Sequence, residues 1–332
     1  MPASYPGILH QYAPRLVAHE FVSPNQTRPK PHSLLFVGGL TDGLGTVPYV
    51  TELSKALEST EWSLFWLVLS SSYLGWGIGS LDQDVEEISQ CVSFVRKYKS
   101  ASSSDGKVVV MGHSTGCQDV LHYLYSANPL PQRPTDQEVG LNLQRLVRPV
   151  MDGAIMQAPV SDREAVLHMM QTSADPDEFR RIYDQLVDLA RRQPPTEILP
   201  LHLTSKVGYP GTPLNARRFL SLASPDSPVN PELDDLFSSD LTDQRLRETF
   251  GAVAERGLLR SKLMVLYSGS DEFAAGWVDK EALLQRWKLA TNANGKEKWD
   301  ENSAVVPGAS HTVKDEGQTD LIARVLRYLS SV

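Results

Sequence analysis

Three residues far apart in the chain have the types and order needed to break an acyl bond through a covalent intermediate. Ser114 stands in Gly112-His113-Ser114-Thr115-Gly116, Asp271 in Ser268-Gly269-Ser270-Asp271-Glu272-Phe273, and His311 in Gly308-Ala309-Ser310-His311. A serine hydroxyl is a weak nucleophile until a base takes its proton, and an imidazole base needs a carboxylate to orient it. Serine, then acid, then histidine is the chain order in which enzymes built on a strand–elbow–helix unit carry that set. The run Val108-Val109-Val110-Met111 leads into the pentapeptide, and Val120, Leu121 and Leu124 follow at helical spacing. A strand, a tight turn and a helix are therefore expected around Ser114, with glycine at 112 and 116 because a Cβ there collides across the turn.

Of the eight histidines, only His311 follows the serine and the acid in a loop just beyond a short strand. Asp271 also lies beyond a strand end, Leu263–Tyr267, at the carboxyl edge where such sites are built. Asp162, at the end of the preceding strand, and Glu272, next to Asp271, are the alternative acids. The tetrahedral intermediate needs two backbone N–H donors. Thr115, after the nucleophile, is one; Leu40, after the glycine pair in Val37-Gly38-Gly39-Leu40-Thr41-Asp42-Gly43, is the other. That glycine-rich loop fits neither phosphate-cradling pattern, since no Gly-x-Gly-x-x-Gly and no Walker lysine is present. Gly39, Tyr73, Trp76, His113 and Asp162 are expected around the substrate. No His/Cys/carboxylate group has metal-ligand spacing, so neither metal nor cofactor is expected.

The elements that must position these groups alternate. Short β-branched or aromatic runs at Leu16–Val22, Ser33–Val37, Trp62–Leu69, Lys107–Met111 and Gly153–Ala158 read as strands. Helices are expected from Thr46 and Pro48 to about Glu58, and from Ser80, where Gln83 completes a capping box. Residues 1–32 otherwise read as Pro-rich and irregular, and 128–148 as a polar loop. Strand–helix alternation implies an α/β fold with a mostly parallel sheet covered on both faces. About a hundred residues then separate the strand at 153–158 from the next at 263–267, too many for a loop in a compact fold. They hold helical patterns at 162–172, 177–192 and 242–256 around a Pro/Ser/Asp-rich stretch at 194–240. The expected organisation is a core in two parts, 1–159 and 261–332, with a mainly helical cap inserted at 160–260. The second part of the core carries a helix near 278–289, a strand at 303–306 and a terminal helix at 317–330.

Composition narrows the partners. A net charge of −8 without a Lys/Arg run argues against nucleic acid. The longest apolar run, Leu64–Leu69, is too short to span a bilayer, and the first residues show no basic-then-apolar signal. The two cysteines, Cys91 and Cys117, fall on helices and read as core thiols suited to a reducing compartment, so a cytoplasmic location is expected. The cap carries more acidic than basic residues, which favours a cationic ligand.

With these residues in view, the chain resembles the α/β-hydrolase superfamily through Gly112-His113-Ser114-Thr115-Gly116, Asp271 and His311. More narrowly it resembles a fungal family of cytoplasmic α/β-hydrolases, through Val37–Gly43, Val109–Asp119 and Gln157-Ala158-Pro159-Val160-Ser161-Asp162-Arg163-Glu164. That family includes intracellular siderophore esterases acting on fusarinine-type ligands. The resemblance implies a small-molecule ester substrate, a ferric cyclic triester hydroxamate siderophore, with no iron ligand supplied by the protein. Many relatives in the superfamily carry a histidine before the oxyanion glycine; here that position is Gly38, which offers no donor side chain. A carboxylesterase or lipase for small acyl esters, and a hydrolase-fold protein that binds without catalysis, are the alternative readings.

Overall fold

The computed structural model describes residues 4–24, 26, 28–101, 105–132, 143–314 and 316–332. Of the polar loop expected at 128–148, residues 133–142 lie outside the described residues, as do residues 1–3 of the expected signal-free N-terminus. Eight strands form one sheet: β1 (Gly7–Ala13), β2 (Leu16–Phe21), β3 (His32–Val37), β4 (Trp62–Val68), β5 (Val108–His113), β6 (Gly153–Gln157), β7 (Leu263–Ser268) and β8 (Ala304–Val306). Their order is β1-β2-β4-β3-β5-β6-β7-β8. β1/β2 and β2/β4 pair antiparallel, and every later pair is parallel.

Alternate residues of single strands feed two separate cores, as the two-residue period of a strand requires. Leu35, Val37 and Val110 join one cluster with Val85, Ile88 and Val92 of helix α2 (Leu81–Ser100) and Val120 and Leu121 of α3 (Gly116–Tyr125). Leu34, Phe36, Val109 and Met111 join the other with Tyr49 and Leu53 of α1 (Pro48–Ala56) and Tyr328 near the C-terminus. Both faces of the parallel strands are covered, which is why they read as unbroken apolar runs. β1 departs from the expectation of an irregular N-terminal segment. Most of its residues are exposed, and Ile8 and Leu9 among them, so no buried face marks it in the sequence; it is held by its ladder to β2.

Local signals at helix starts are partly reassigned. Ser80 Oγ accepts from Gln83 N, the first half of the expected capping box, but the Gln83 amide donates to Ser70 and Glu87 instead of returning to Ser80. Thr46 lies before α1; its hydroxyl accepts from Gly43 N and donates to Asp42, bracing the loop after β3.

The insertion between β6 and β7 divides. Helices α4 (Asp162–Thr172), α5 (Pro176–Arg192) and α6 (Ala216–Ala223) form a third cluster around Ile182, Leu186 and Phe219. α6 falls inside the stretch expected to be irregular: an eight-residue helix capped by Asn215 and bracketed by Pro213 and Pro225 is too short to show a period. Beyond it, Leu236, Phe237, Phe250 and Val253 turn back into the main core beneath α3. The helical run 243–256 (α7), which widens by one residue per turn at 247–251, thus packs with α8 (Lys280–Thr291) on the core. The terminal helix α9 (Gln318–Ser331) completes the other face.

Candidate active site

Four segments converge at the carboxyl edge of the central strands. The first is the elbow. Ser114 has φ +54°, a left-handed conformation that a side chain adopts only where its surroundings impose it. Its N–H donates to Gln157 O at 3.0 Å, and its C=O accepts from Cys117 N at 2.8 Å as α3 begins. A Cβ at Gly112 runs into the Gly116 carbonyl, which explains the glycine two residues before the serine.

The second segment is the loop after β3. A Cβ on Gly39 comes within 2.6 Å of Ser114 Cβ, so only glycine lets this loop lie against the serine. Gly39 N already donates to Asp42 Oδ2 at 2.8 Å. Among the described residues neither Leu40 N nor Thr115 N donates to a protein acceptor. A Cβ on Gly38 meets Asp42 Cβ at 2.6 Å, so the carboxylate that holds Gly39 also excludes a side chain at 38.

The third and fourth segments follow β7 and β8. His311 Nδ1 donates to Asp271, with Oδ2 at 2.9 Å and Oδ1 at 3.0 Å. Asp271 Oδ1 also accepts from Phe273 N, and the Phe273 ring stands edge-on to His311 at 4.8 Å. Glu272 serves a different atom: its Oε2 accepts from the backbone N of His311 at 2.8 Å. Asp162 is engaged elsewhere too, at the first turn of α4, where Oδ2 accepts from Gln118 Nε2 at 2.7 Å. Burial lifts its carboxyl to about 6. Of the three candidate acids, Asp271 is the one set against the ring nitrogen of His311.

Two of the residues expected around the substrate are buried. His113 is 1% exposed, with its ring 4.9 Å from that of His311. Burial first, then His311, pushes its imidazole down to about 4 and keeps it neutral. Trp76 is also buried, its ring tilted 53° against that of Tyr209 in the cap cluster. Tyr73 is half exposed, but its hydroxyl accepts from Leu44 N and its own N–H donates to Asp42 O, so it braces the loop after β3. Gly39 and Leu40 are half-buried beside the serine. Cys91 and Cys117 are free and buried. Among the described residues no cluster of His, Cys, Asp and Glu could hold a metal ion, and no helix is long and apolar enough to cross a membrane.

Gln157 and Asp42 stand in the motifs quoted above, but the sequence assigns neither a role. The one available signal was a lone amide at the end of the apolar run Gly153-Ala154-Ile155-Met156, where a buried polar side chain must find partners.

Residues 1–330 match a family model described as a protein of unknown function, DUF1749. Fusarinine C esterase of Aspergillus fumigatus is 49% identical over 345 residues, which cover 98% of this chain and 96% of that protein. The chain belongs to this family. An esterase of Emericella nidulans is 45% identical over 350 residues, covering 98% of this chain and 93% of its own. The solved structure of siderophore hydrolase EstB from Aspergillus fumigatus superposes with a TM-score of 0.86 at 49% identity, covering 99% of this chain and 98% of the other. The fold is that of an α/β-hydrolase, as the sequence motifs implied.

Proposed function

We propose that this protein is a serine esterase that opens ester bonds of a fusarinine-type hydroxamate siderophore. The observation that carries the reading is the placement of His311 Nδ1 against both carboxylate oxygens of Asp271, in a chain whose relatives are named esterases. Asp271 holds the imidazole with its proton on Nδ1, which leaves Nε2 as the base. His311 Nε2 takes the Ser114 hydroxyl proton as the oxygen attacks the ester carbonyl. The oxyanion accepts from the Leu40 and Thr115 amides, neither of which has a protein acceptor among the described residues. As the tetrahedral intermediate collapses, the imidazolium returns its proton to the leaving alkoxide, and an alcohol departs. Water, deprotonated by His311, then attacks the acyl-enzyme and releases the carboxylic acid and free Ser114.

For a cyclic triester siderophore this chemistry has a direct consequence. Three hydroxamates in one ring hold iron at high effective concentration, and each ester cleaved lowers that advantage. No metal ligand from the protein is needed. The two free buried thiols support action in a reducing compartment, the cytoplasm. Incubating the purified protein with ferric cyclic siderophores and with simple acyl esters, followed by mass spectrometry, tests the reading. Linear hydroxamate products with a mass gain of one water per cleaved ester are expected. Turnover of the simple esters with intact siderophores would reassign it as a general carboxylesterase.

A further inference from the structure

Gln157 is the last residue of β6 and is 1% exposed, yet its polar atoms reach three of the four segments of the site directly, the elbow, the end of β7 and the histidine loop. Its carbonyl accepts from Ser114 N at 3.0 Å and from Cys117 Sγ at 3.1 Å. Its side-chain Nε2 donates to Ser268 Oγ at 3.0 Å, where β7 ends before the acid loop, and to His311 O at 3.4 Å. Its Oε1 lies 2.5 Å from His113 Nδ1. His113 in turn stands with Nε2 3.8 Å from Asp42 Oδ2, the oxygen that holds Gly39 N. The chain of contacts runs from the oxyanion loop through the elbow to the acid and histidine loops.

The hydrogen-bonding chemistry leaves one arrangement. The His311 carbonyl can only accept, so the Gln157 NH2 must face it and the amide oxygen must face His113. His113 Nδ1 therefore carries the proton, and the ring is held as one neutral tautomer. At 3.8 Å its Nε2 is beyond hydrogen-bond reach of Asp42, so that contact is a packing one. A side chain at 157 must donate toward the His311 carbonyl and accept from His113 without bringing charge into a water-excluded seam. Only a primary amide of this length does both; a carboxylate sets oxygen against oxygen at His311.

We infer that Gln157 is a positioning residue for the proposed esterase reaction, setting the serine, the oxyanion loop and the base in register from one buried amide. The inference rests on the reading of Ser114 and His311 as nucleophile and base. The groups facing His311 are Asp271 and Glu272 from the acid loop, His113 from the elbow and Asp162 from the cap. A new carboxylate at 157 joins them and favours the charged imidazole.

The test compares Gln157→Glu and Gln157→Leu with the wild type on a soluble chromogenic ester, with thermal unfolding and fluorophosphonate labelling of Ser114 alongside. Both variants are expected to lose roughly 10- to 100-fold in kcat with KM changed less than about threefold, the pattern of misplacement near the reacting atoms. The acid limb of the kcat/KM profile should move to higher pH in Gln157→Glu and stay in place in Gln157→Leu. If Gln157→Glu does not fold, Gln157→Leu and His113→Asn must still show the kcat loss. Wild-type kcat in the folded variants, or a loss that follows only the unfolded fraction with the acid limb unmoved, overturns the inference while labelled Ser114 leaves the esterase reading standing. Failure of the wild type to label at Ser114 overturns both.

Discussion

Two of the buried polar seams among the described residues are built on opposite principles. In the catalytic seam, Asp42, His113, Gln157, Ser268 and His311 pass hydrogen bonds or close contacts from one to the next, with Asp42 and Glu272 accepting from backbone amides and Asp271 from His311. In the seam between cap and core, Arg218 of α6 donates to Asp234 at 2.5 Å and to Trp76 O at 3.1 Å. Asp84, Asp119 and Asp162 crowd the same guanidinium. Asp84 Oδ1 and Asp119 Oδ1 are buried with no hydrogen-bond partner among the described residues. Burial and the neighbouring Glu87 push the Asp84 carboxyl up to about 7, and burial also raises Asp119. A cavity of about 280 Å³ opens beside Arg218 and Asp234.

The difference teaches where each kind of sensitivity should lie. A seam of hydrogen-bonded groups joining the catalytic loops fixes geometry, so damage there shows in rate. A seam with excess carboxylate stores unfavourable charge, so damage there shows in stability and in its pH dependence.

The largest contrast comes from the nucleophile. Ser114→Ala should lower ester turnover by roughly a millionfold while the unfolding midpoint barely moves. Measured hydrolysis within a hundredfold of wild type, with the labelled residue elsewhere, would remove Ser114 from the mechanism. Asp271→Asn should cost on the order of 10⁴ in kcat by favouring the wrong imidazole tautomer. An active Asp271→Asn beside a dead Asp162→Asn or Glu272→Gln would transfer the acid role.

The cap seam should answer in the other currency. Arg218→Met leaves Asp234 buried without its partner and should destabilise by about 3–5 kcal/mol in urea unfolding. If kcat on a small ester falls more than stability does, the two seams are not separable in the way drawn here. The smallest effect concerns Asp84. Its carboxyl binds its proton more tightly folded than unfolded, so the wild type loses stability as pH rises from about 4 to about 7. Asp84→Asn cannot ionise and should therefore be more stable than wild type at pH 8, by on the order of 1–3 kcal/mol. That gap should narrow toward pH 5; a gap equal at both pH values would refute the assignment.

Some of this was legible in the chain before any coordinates. The elbow announces itself because a strand, a glycine-bounded turn and a helix are local events, each readable within about ten residues. The alternation of apolar runs and helices, and the long interval between the strands at 153–157 and 263–268, likewise follow from periodicity and length. Asp271 and His311 were placed by chain order and by the edge of the sheet at which their strands end. What the tertiary structure decided are matters of which side chain meets which. It sent Glu272 to the backbone of His311 and Asp162 to Gln118, and buried His113 and Trp76. It also returned Leu236, Phe237 and Phe250 to the main core although they lie within the insertion. Gln157 belongs to this class most plainly. Its partners, at 113, 268 and 311, are up to 154 residues away, and an amide's hydrogen bonds depend on where those atoms arrive, which no local pattern records.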